Sequence, residues 1–265
     1  MSTQPIGLLD SGFGGLSVMS AIREKFPHED LIYTADCGFA PWGDRDDEFI
    51  DRRVDAIVDY LLSRNIKALV LACNTATAVS ATRLREKLTI PVIGIEPAVL
   101  PAARATQTKA FAVMATVKTI ESDRYAGLKA RVEDPEIQIY DCPCPGLMEC
   151  VEAGAFHSAT TRALISHFVK PLLAHHIDQI VLGCTHYPFL AEEIQALAGP
   201  QVSLIDPAPA VARHLYNVLS DLGVLNESKA ASREEFYVSG ANPERERVLR
   251  ALWSPEAKLL ALPTV

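Results

Sequence analysis

The chain repeats one short pattern, an apolar run that ends in a cysteine with a threonine close behind it. Residues 69–75 read Leu-Val-Leu-Ala-Cys-Asn-Thr and residues 180–185 read Ile-Val-Leu-Gly-Cys-Thr, so Cys73 and Cys184 lie 111 positions apart. An acidic-Pro-Ala triplet follows each run, at 96–98 and at 206–208. Upstream, residues 6–10 are echoed at 111–115. Three landmarks in the same order indicate a duplicated structural unit.

Short apolar runs alternate with longer amphipathic stretches, which is typical of βαβ units. Near-continuous apolar strands in such an alternation predict a parallel sheet covered by helices on both faces. Together with the repeat, this predicts an α/β fold of two pseudo-symmetric, doubly wound parallel-sheet lobes, with the active site in the cleft between them. The predicted strands cover 6–9, 31–33, 68–72 and 91–95, and the predicted helices 16–25, 47–64 and 75–88.

The repeat also predicts the domain boundaries. The first lobe is expected to comprise residues 1–96 plus 207–265, and the second lobe residues 97–206. The tail from 207 onward is expected to return to the first lobe. Its predicted elements are helices over 211–222 and 243–252, a strand over 235–238 and a polar loop over 226–234.

Composition excludes several classes of protein. The 265 residues carry 25 Lys+Arg against 33 Asp+Glu, a net charge of −8, which argues against binding of bulk nucleic acid. A hydrophobic fraction of 49% with 22% charged residues excludes wholesale disorder. No apolar stretch approaches the roughly 18 residues of a membrane span, and the first ten residues lack the basic region of a secretory signal. We therefore expect a cytoplasmic protein that acts on a small molecule.

The six cysteines are too few for a disulfide scaffold in a chain of this length. Each is therefore a core residue, a metal ligand or a catalyst. Cys142, Cys144, Cys150 and His157 suggest zinc, but the Cys-x-Cys spacing is short and a second ligand pair is lacking, so no metal is predicted. Cys37, like the three cysteines between 142 and 150, is interpreted as structural.

Cys73 and Cys184 differ from the other four because each ends an apolar strand where a helix begins. Open parallel sheets bind ligands at this edge, and a helix N-terminus binds carboxylates and lowers the pKa of a thiol. A lone cysteine there is most often a core residue, but a matched pair favours function. Two thiols that face one carbon from opposite sides are suited to racemisation, because one removes an α-proton while the other delivers one.

Two loops complete the set of candidate features. Residues 10–15 read Asp-Ser-Gly-Phe-Gly-Gly, but no Gly-Lys-Ser/Thr follows, and Ser17 stands where a dinucleotide fingerprint has its third glycine. No nucleotide cofactor is therefore predicted. Residues 36–43 hold Trp42 between Pro41 and Gly43, either as a wall of the cleft or as a partly buried surface turn. His186, two residues after Cys184, is placed to pair with a thiol.

These motifs resemble the glutamate racemases, cofactor-independent enzymes that interconvert L- and D-glutamate. The resemblance covers nearly the whole chain, and the motif from Cys184 to Pro188, Cys-Thr-His-Tyr-Pro, is characteristic of glutamate racemases rather than of the related aspartate racemases. The matching motifs are Asp10-Ser11-Gly12 with Gly14-Gly15, Pro41-x-Gly43, Ala72-Cys73-Asn74-Thr75-Ala76, Thr116-x-x-Thr119-Ile120 and Leu182-Gly183-Cys184-Thr185-His186-Tyr187-Pro188.

The resemblance implies that Cys73 acts on D-glutamate with help from Asp10, and that Cys184 acts on L-glutamate with help from His186 and Glu152. It implies no cofactor and no metal, and a homodimeric bacterial enzyme of the cytosol that supplies D-glutamate for peptidoglycan. The residues it implies for substrate binding are Asp10, Ser11, Pro41, Trp42, Gly43, Asn74, Thr75, Thr116, Thr119, Thr185 and His186.

The sequence departs from the family pattern in two places. Trp42 stands where the family usually has tyrosine, so a side-chain hydroxyl contact is excluded there, and Ala115 replaces a glycine. The chain begins nine residues before Asp10, so we expect it to lack the N-terminal extension of members activated by a cell-wall precursor. The alternative functions are an aspartate racemase or related Cys-pair isomerase, and a non-catalytic amino-acid-binding protein. A cysteine hydrolase would leave one of the two thiols unexplained.

Overall fold

The computed structural model describes residues 2–228 and 231–263. The predicted tail and its polar loop therefore include positions 229, 230, 264 and 265, which lie outside the described residues. Two parallel sheets organise the rest. The strands are β1 (Ile6–Asp10), β2 (Leu31–Ala35), β3 (Ala68–Leu71), β4 (Val92–Gly94), β5 (Ala110–Ala115), β6 (Gln138–Pro143), β7 (Gln179–Leu182), β8 (Ser203–Ile205), β9 (Glu234–Val238) and β10 (Leu259–Ala261).

The two sheets share one strand order, which confirms the predicted fold class. The first sheet runs β10-β9-β2-β1-β3-β4 and the second β6-β5-β7-β8. Removing β10 and β9 leaves the same succession in both, so β1 corresponds to β5 and β3 to β7. All strand pairs described are parallel. The carboxyl ends of β3 and β7 therefore occupy equivalent places in the two sheets.

The helices cover both faces of each sheet, as an apolar parallel sheet requires. In the helix over 47–63 the buried residues Ile50, Val54, Ile57 and Leu61 form one stripe, and Asp46 caps its first turn by accepting from the Phe49 N–H. The helices are α1 (Leu16–Lys25), α2 (Asp47–Ser63), α3 (Asn74–Lys87), α4 (Val99–Ala105), α5 (Val117–Glu121), α6 (Asp123–Ala130), α7 (Leu147–Glu152), α8 (Ala159–Leu173), α9 (Ala191–Ala198), α10 (Ala208–Asp221) and α11 (Pro243–Leu252).

The tail adds two strands to the outer edge of the first sheet. β9 pairs with β2 and β10 pairs with β9. The strand predicted over 235–238 is confirmed, whereas β10 was not predicted. It has three residues and leaves Leu260 41% exposed at the edge of the sheet, so it is shorter and less buried than the central strands. In the part of the chain that the structure describes, no helix combines the length and apolarity needed to cross a membrane.

Candidate active site

Cys73 lies two residues beyond the end of β3, after Ala72, and forms the N-cap of α3. Its sulfur accepts from the Ala76 N–H at 3.4 Å and lies 3.7 Å from the Ser11 hydroxyl oxygen. The residue is only 5% exposed. Burial, followed by the charge of Asp10, raises the pKa of the Cys73 thiol to about 12. Without a ligand Cys73 is therefore a neutral thiol, with hydrogen-bond donors already placed to stabilise its anion.

Cys184 lies at the equivalent end of β7, with Gly183 between them. Its sulfur is 3.6 Å from His186 Nδ1. Burial lowers the pKa of His186, but hydrogen bonds to Cys184 and Glu152 outweigh burial and raise it well above its usual value. His186 Nδ1 therefore faces the Cys184 sulfur, and this nitrogen donates to the sulfur when it carries a proton.

Glu152, the last residue of α7, lies on the other side of the His186 ring. Its Oε1 atom is 2.7 Å from His186 Nε2 and accepts from the Phe13 N–H at 2.5 Å. Phe13 belongs to the loop after β1 of the first sheet, and α7 packs on the second sheet. The Glu152 carboxylate therefore links the two sheet units of the molecule. A carboxylate on the far nitrogen orients a histidine ring and favours its charged form.

Asp10 ends β1 and is fully buried. One carboxylate oxygen accepts from the Ser11 hydroxyl and the Gly12 N–H, both at 3.1 Å, and the other accepts from the Thr185 hydroxyl at 3.0 Å. Burial raises the pKa of Asp10 to about 6, although the positive charge of His186 and the hydrogen bonds from Gly12 and Thr185 oppose the rise. Asp10 therefore contacts its own loop and Thr185 of the Cys184 motif.

The glycines after Asp10 allow the two halves to approach closely. A Cβ atom at Gly12 would overlap the Glu152 carboxylate, and one at Gly14 would overlap the His186 ring. Ser17 adds a hydrogen bond from its hydroxyl to the Thr185 carbonyl at 2.9 Å. The segment over 10–17 therefore contacts Glu152, Thr185 and His186 through its backbone and short side chains.

The polar residues after Cys73 face polar residues that follow β5. The Thr75 and Thr116 hydroxyl oxygens lie 3.3 Å apart, and Thr116 caps α5 with Thr119 beside it at 2.9 Å. Asn74 is 6% exposed, yet neither its amide nitrogen nor its amide oxygen has a hydrogen-bond partner among the described residues. A buried amide without partners is unfavourable unless a ligand supplies them.

The loop over 36–43 contributes the remaining predicted residues. The Ala40–Pro41 peptide is cis, and a Cβ at Gly43 would lie 3.5 Å from the Thr116 Cβ, so this loop faces α5. Trp42 is 1% exposed and belongs to a buried apolar cluster with Ile50, Val54 and Cys73. It is thus fully buried rather than part of a surface turn. Its indole N–H has no partner within the described ranges.

Sequence reasoning missed one side chain at the site. Cys37, interpreted as structural, places its sulfur 3.5 Å from Glu152 Oε2. The available signal was its position just beyond β2, the strand next to β1, because neighbouring parallel strands end at one edge of a sheet.

The other cysteines form no metal cluster. Cys142 and Cys144 have sulfurs 3.7 Å apart, whereas His157 pairs with Glu193 at 2.8 Å. Across residues 2–228 and 231–263, no group of three or more His, Cys, Asp or Glu side chains is placed to hold a metal ion.

The arrangement therefore consists of two buried thiols at equivalent strand ends. They are near enough that a charge on Cys184 raises the pKa of Cys73. The Cys73 side carries Ser11 and Asp10, and the Cys184 side carries His186 and Glu152. Such a pair of separately assisted acid/base groups can move a proton off one face of a carbon and onto the other.

Comparisons with known proteins agree with this geometry. Residues 10–215 match the family model for Asp/Glu/hydantoin racemases. A glutamate racemase from Pseudomonas paraeruginosa is 44% identical over 253 residues, which is 95% of both chains.

Solved structures with a similar fold are also glutamate racemases. A glutamate racemase isoform from Bacillus anthracis has a TM-score of 0.88 at 31% identity, covering 99% of this chain and 98% of that one. The Escherichia coli glutamate racemase, solved with L-glutamate and the activator UDP-MurNAc-Ala, has a TM-score of 0.84 at 34% identity over 94% of both chains. The chain belongs to the Asp/Glu/hydantoin racemase family and, within it, to the glutamate racemases.

Proposed function

We propose that the protein interconverts L- and D-glutamate without a cofactor, with Cys184 removing the α-proton of L-glutamate and Cys73 that of D-glutamate. The observation that carries the proposal is the placement of two buried cysteines at the ends of equivalent strands, β3 and β7, each with its own polar partners.

On the Cys184 side, His186 is the assisting group. Its N–H, 3.6 Å from the sulfur, stabilises the thiolate, and Glu152 on the far nitrogen holds the ring in place. The thiolate takes the α-proton of L-glutamate and becomes a thiol. Cys73 then gives its S–H proton to the opposite face of the planar carbanion and becomes a thiolate, so proton and charge balance.

On the Cys73 side, Ser11 lies between the thiol and Asp10. The Ser11 oxygen is 3.7 Å from the sulfur and 3.1 Å from Asp10 Oδ1. A substrate ammonium group near this carboxylate and thiol favours the charged form of both, because an opposite charge in a buried site lowers the pKa of an acid. Asp10 thus assists Cys73 by attracting the substrate ammonium group, which offsets the effect of the Asp10 charge on the pKa of the thiol.

The substrate is held by short polar groups. We assign this function to the backbone of Pro41, Trp42 and Gly43 and to side chains around the thiols. Hydrogen bonds aimed at the carboxylate in a closed site stabilise the charge that develops when the α-proton leaves. The side chains are Ser11, Asn74, Thr75, Thr116, Thr119 and Thr185, and we assign contacts with the substrate to Asp10 and His186 as well.

Solvent exchange tests the mechanism. L-glutamate incubated with the enzyme in D₂O should gain deuterium at Cα while its optical rotation falls to zero. Cys73→Ala and Cys184→Ala should each abolish racemisation, whereas Cys150→Ala, which removes a half-buried thiol from α7, should retain it. An absence of solvent deuterium at Cα, or full activity in either active-site variant, would overturn the proposal.

A panel of amino acids separates the alternatives. Aspartate racemisation in preference to glutamate would indicate the related isomerase. Thermal stabilisation by glutamate with no hydrogen exchange would indicate a binding protein. The motif from Cys184 to Pro188 and the 44% identity to a glutamate racemase favour glutamate.

The biological setting is part of the same proposal. We infer a homodimer of the bacterial cytosol that supplies D-glutamate for peptidoglycan, as the family resemblance implies; sedimentation would test the dimer. Residues 1–96 with 207–265, and residues 97–206, are proposed as the two lobes. Support comes from β9 and β10, which return to the first sheet.

A further inference from the structure

We propose that Cys37 is a positioning residue for Glu152, whose carboxylate orients His186. The inference rests on the proposed function, because it concerns the group that assists Cys184. The Cys37 sulfur lies 3.5 Å from Glu152 Oε2. The other oxygen, Oε1, already receives the Phe13 N–H and contacts His186 Nε2. The thiol therefore supplies the donor for the second oxygen and sets the rotation of the carboxylate.

The backbone around Cys37 is fixed by partners from three separate parts of the chain: α11, the turn after β9, and α2. Its carbonyl accepts from Arg245 Nη2 at 2.8 Å, and the Gly38 N–H donates to the Ser239 hydroxyl at 2.9 Å. The preceding Asp36 is fully buried and receives two hydrogen bonds from Arg53, at 2.9 and 2.8 Å. These hydrogen bonds fix the direction in which the Cys37 side chain points. A residue that only fills space in the core does not need its backbone to be fixed in this way.

The chemistry of the sulfur agrees with a donor. Cys37 is 6% exposed, and burial together with the charge of Glu152 raises the pKa of its thiol well above the usual range. The group is therefore S–H rather than a thiolate at neutral pH. Thiols are weak donors, but a carboxylate acceptor strengthens the bond.

The direction of the pH effect follows from this hydrogen bond. A hydrogen bond to a charged carboxylate favours the charged form, so a variant that lacks the Cys37 donor should lose activity at a higher pH on acidification. The ionisable or charged groups around Glu152 and Cys37 are His186 after β7, Asp10 at the end of β1, Tyr33 on β2, and Arg245 and Arg247 on α11. These are present in every variant compared below.

The test compares Cys37→Ala with Cys37→Ser, which keeps a donor, and with Cys150→Ala as a control. For Cys37→Ala we expect kcat to fall about threefold to tenfold, the size of one modest hydrogen bond, with KM nearly unchanged. The acid limb of its pH profile should move to higher pH. Cys37→Ser should recover most of both effects, and Cys150→Ala should match the wild type.

A second readout locates the effect. The two enantiomers have an equilibrium constant of one, so kcat/KM must fall equally in both directions. The α-deuterium isotope effect can differ between the two directions. In Cys37→Ala it should increase more with L-glutamate than with D-glutamate, because Cys184 removes the proton of L-glutamate. Circular dichroism and urea unfolding check that each variant is folded.

The outcomes separate the two proposals. If the wild type fails to racemise glutamate, the proposed function fails. If the wild type is active but Cys37→Ala keeps its kcat and pH profile, or Cys37→Ser behaves like Cys37→Ala, the thiol serves only packing and the inference is wrong.

Discussion

The Thr185 hydroxyl donates to Asp10 Oδ2 at 3.0 Å and joins the end of β1 to the loop after β7. Both residues are buried, and each is adjacent in sequence to another proposed site residue, Ser11 in one case and Cys184 in the other. The end of β1 and the Cys184 motif are therefore joined by a hydrogen bond. A change in the protonation of Asp10 therefore alters its hydrogen bonds both to Ser11 and to Thr185.

Replacing Thr185 with valine should move the acid limb of activity to higher pH. The hydroxyl lowers the pKa of Asp10, which is about 6, so its removal raises that pKa further. We also expect a loss of about 1 kcal/mol in the free energy of unfolding. Thr161→Val is a matched control, because Thr161 is equally buried and its hydroxyl donates to the Ala155 carbonyl. An unshifted acid limb in Thr185→Val, measured from kcat/KM against pH, would contradict this prediction.

Asp10→Asn should stabilise the protein while it lowers activity. The folded state raises the pKa of Asp10 from 3.8 to about 6, so it binds the proton more tightly than the unfolded chain does. The free energy of unfolding of the wild type therefore falls as pH rises through this window, by at most about 3 kcal/mol from this group. Asparagine does not ionise, so the free energy of unfolding of Asp10→Asn lacks this fall with pH.

Urea unfolding measures this difference. The gain of Asp10→Asn over the wild type should be about 1–3 kcal/mol above pH 7 and should vanish below pH 4. A gain that is constant with pH would show that the effect does not arise from the buried charge.

Gly14→Ala should inactivate the enzyme, because the added Cβ would overlap the His186 ring. We expect a loss of at least about a hundredfold in kcat, the usual scale for displacing an assisting group. Gly127→Ala is the control: it lies in α6 with nothing within 4 Å of the added Cβ, and should stabilise by about 0.5–1 kcal/mol. Racemisation assays and thermal melts of both variants provide the comparison, and near-normal activity in Gly14→Ala would contradict the close approach.

Lys67→Met should destabilise the fold without changing the chemistry. The Lys67 ammonium lies 2.6 Å from the Glu29 carboxylate, and both side chains are 3% exposed. Removing the lysine leaves a buried charge unpaired, at a cost of about 3–5 kcal/mol. The double variant with Glu29→Gln should recover part of this loss in urea unfolding. Lys67 lies just before β3 and Glu29 just before β2, at the sheet edge opposite Cys73, so kcat of the folded protein should stay unchanged.

Local sequence signals identified the central strands well. The runs ending at Asp10, Cys73 and Cys184 are strongly apolar because both faces of a parallel sheet are buried, and periodicity shows this directly. The helix over 47–63 was equally clear, since Ile50 and Val54 belong to one buried stripe. The three-residue strand β10 was not, because its pairing with β9 depends on a neighbour rather than on its own pattern.

The candidate site divides in the same way. The sequence by itself determined that Cys73 and Cys184 stand at repeated strand ends, because a duplicated unit keeps its motif order. Only the tertiary structure decided that Phe13 meets Glu152 across 139 positions, that Cys37 reaches the same carboxylate, and that Trp42 lies wholly in the core. Local patterns encode strand ends and helix faces, whereas contacts between sheets depend on packing, which no short stretch of sequence specifies.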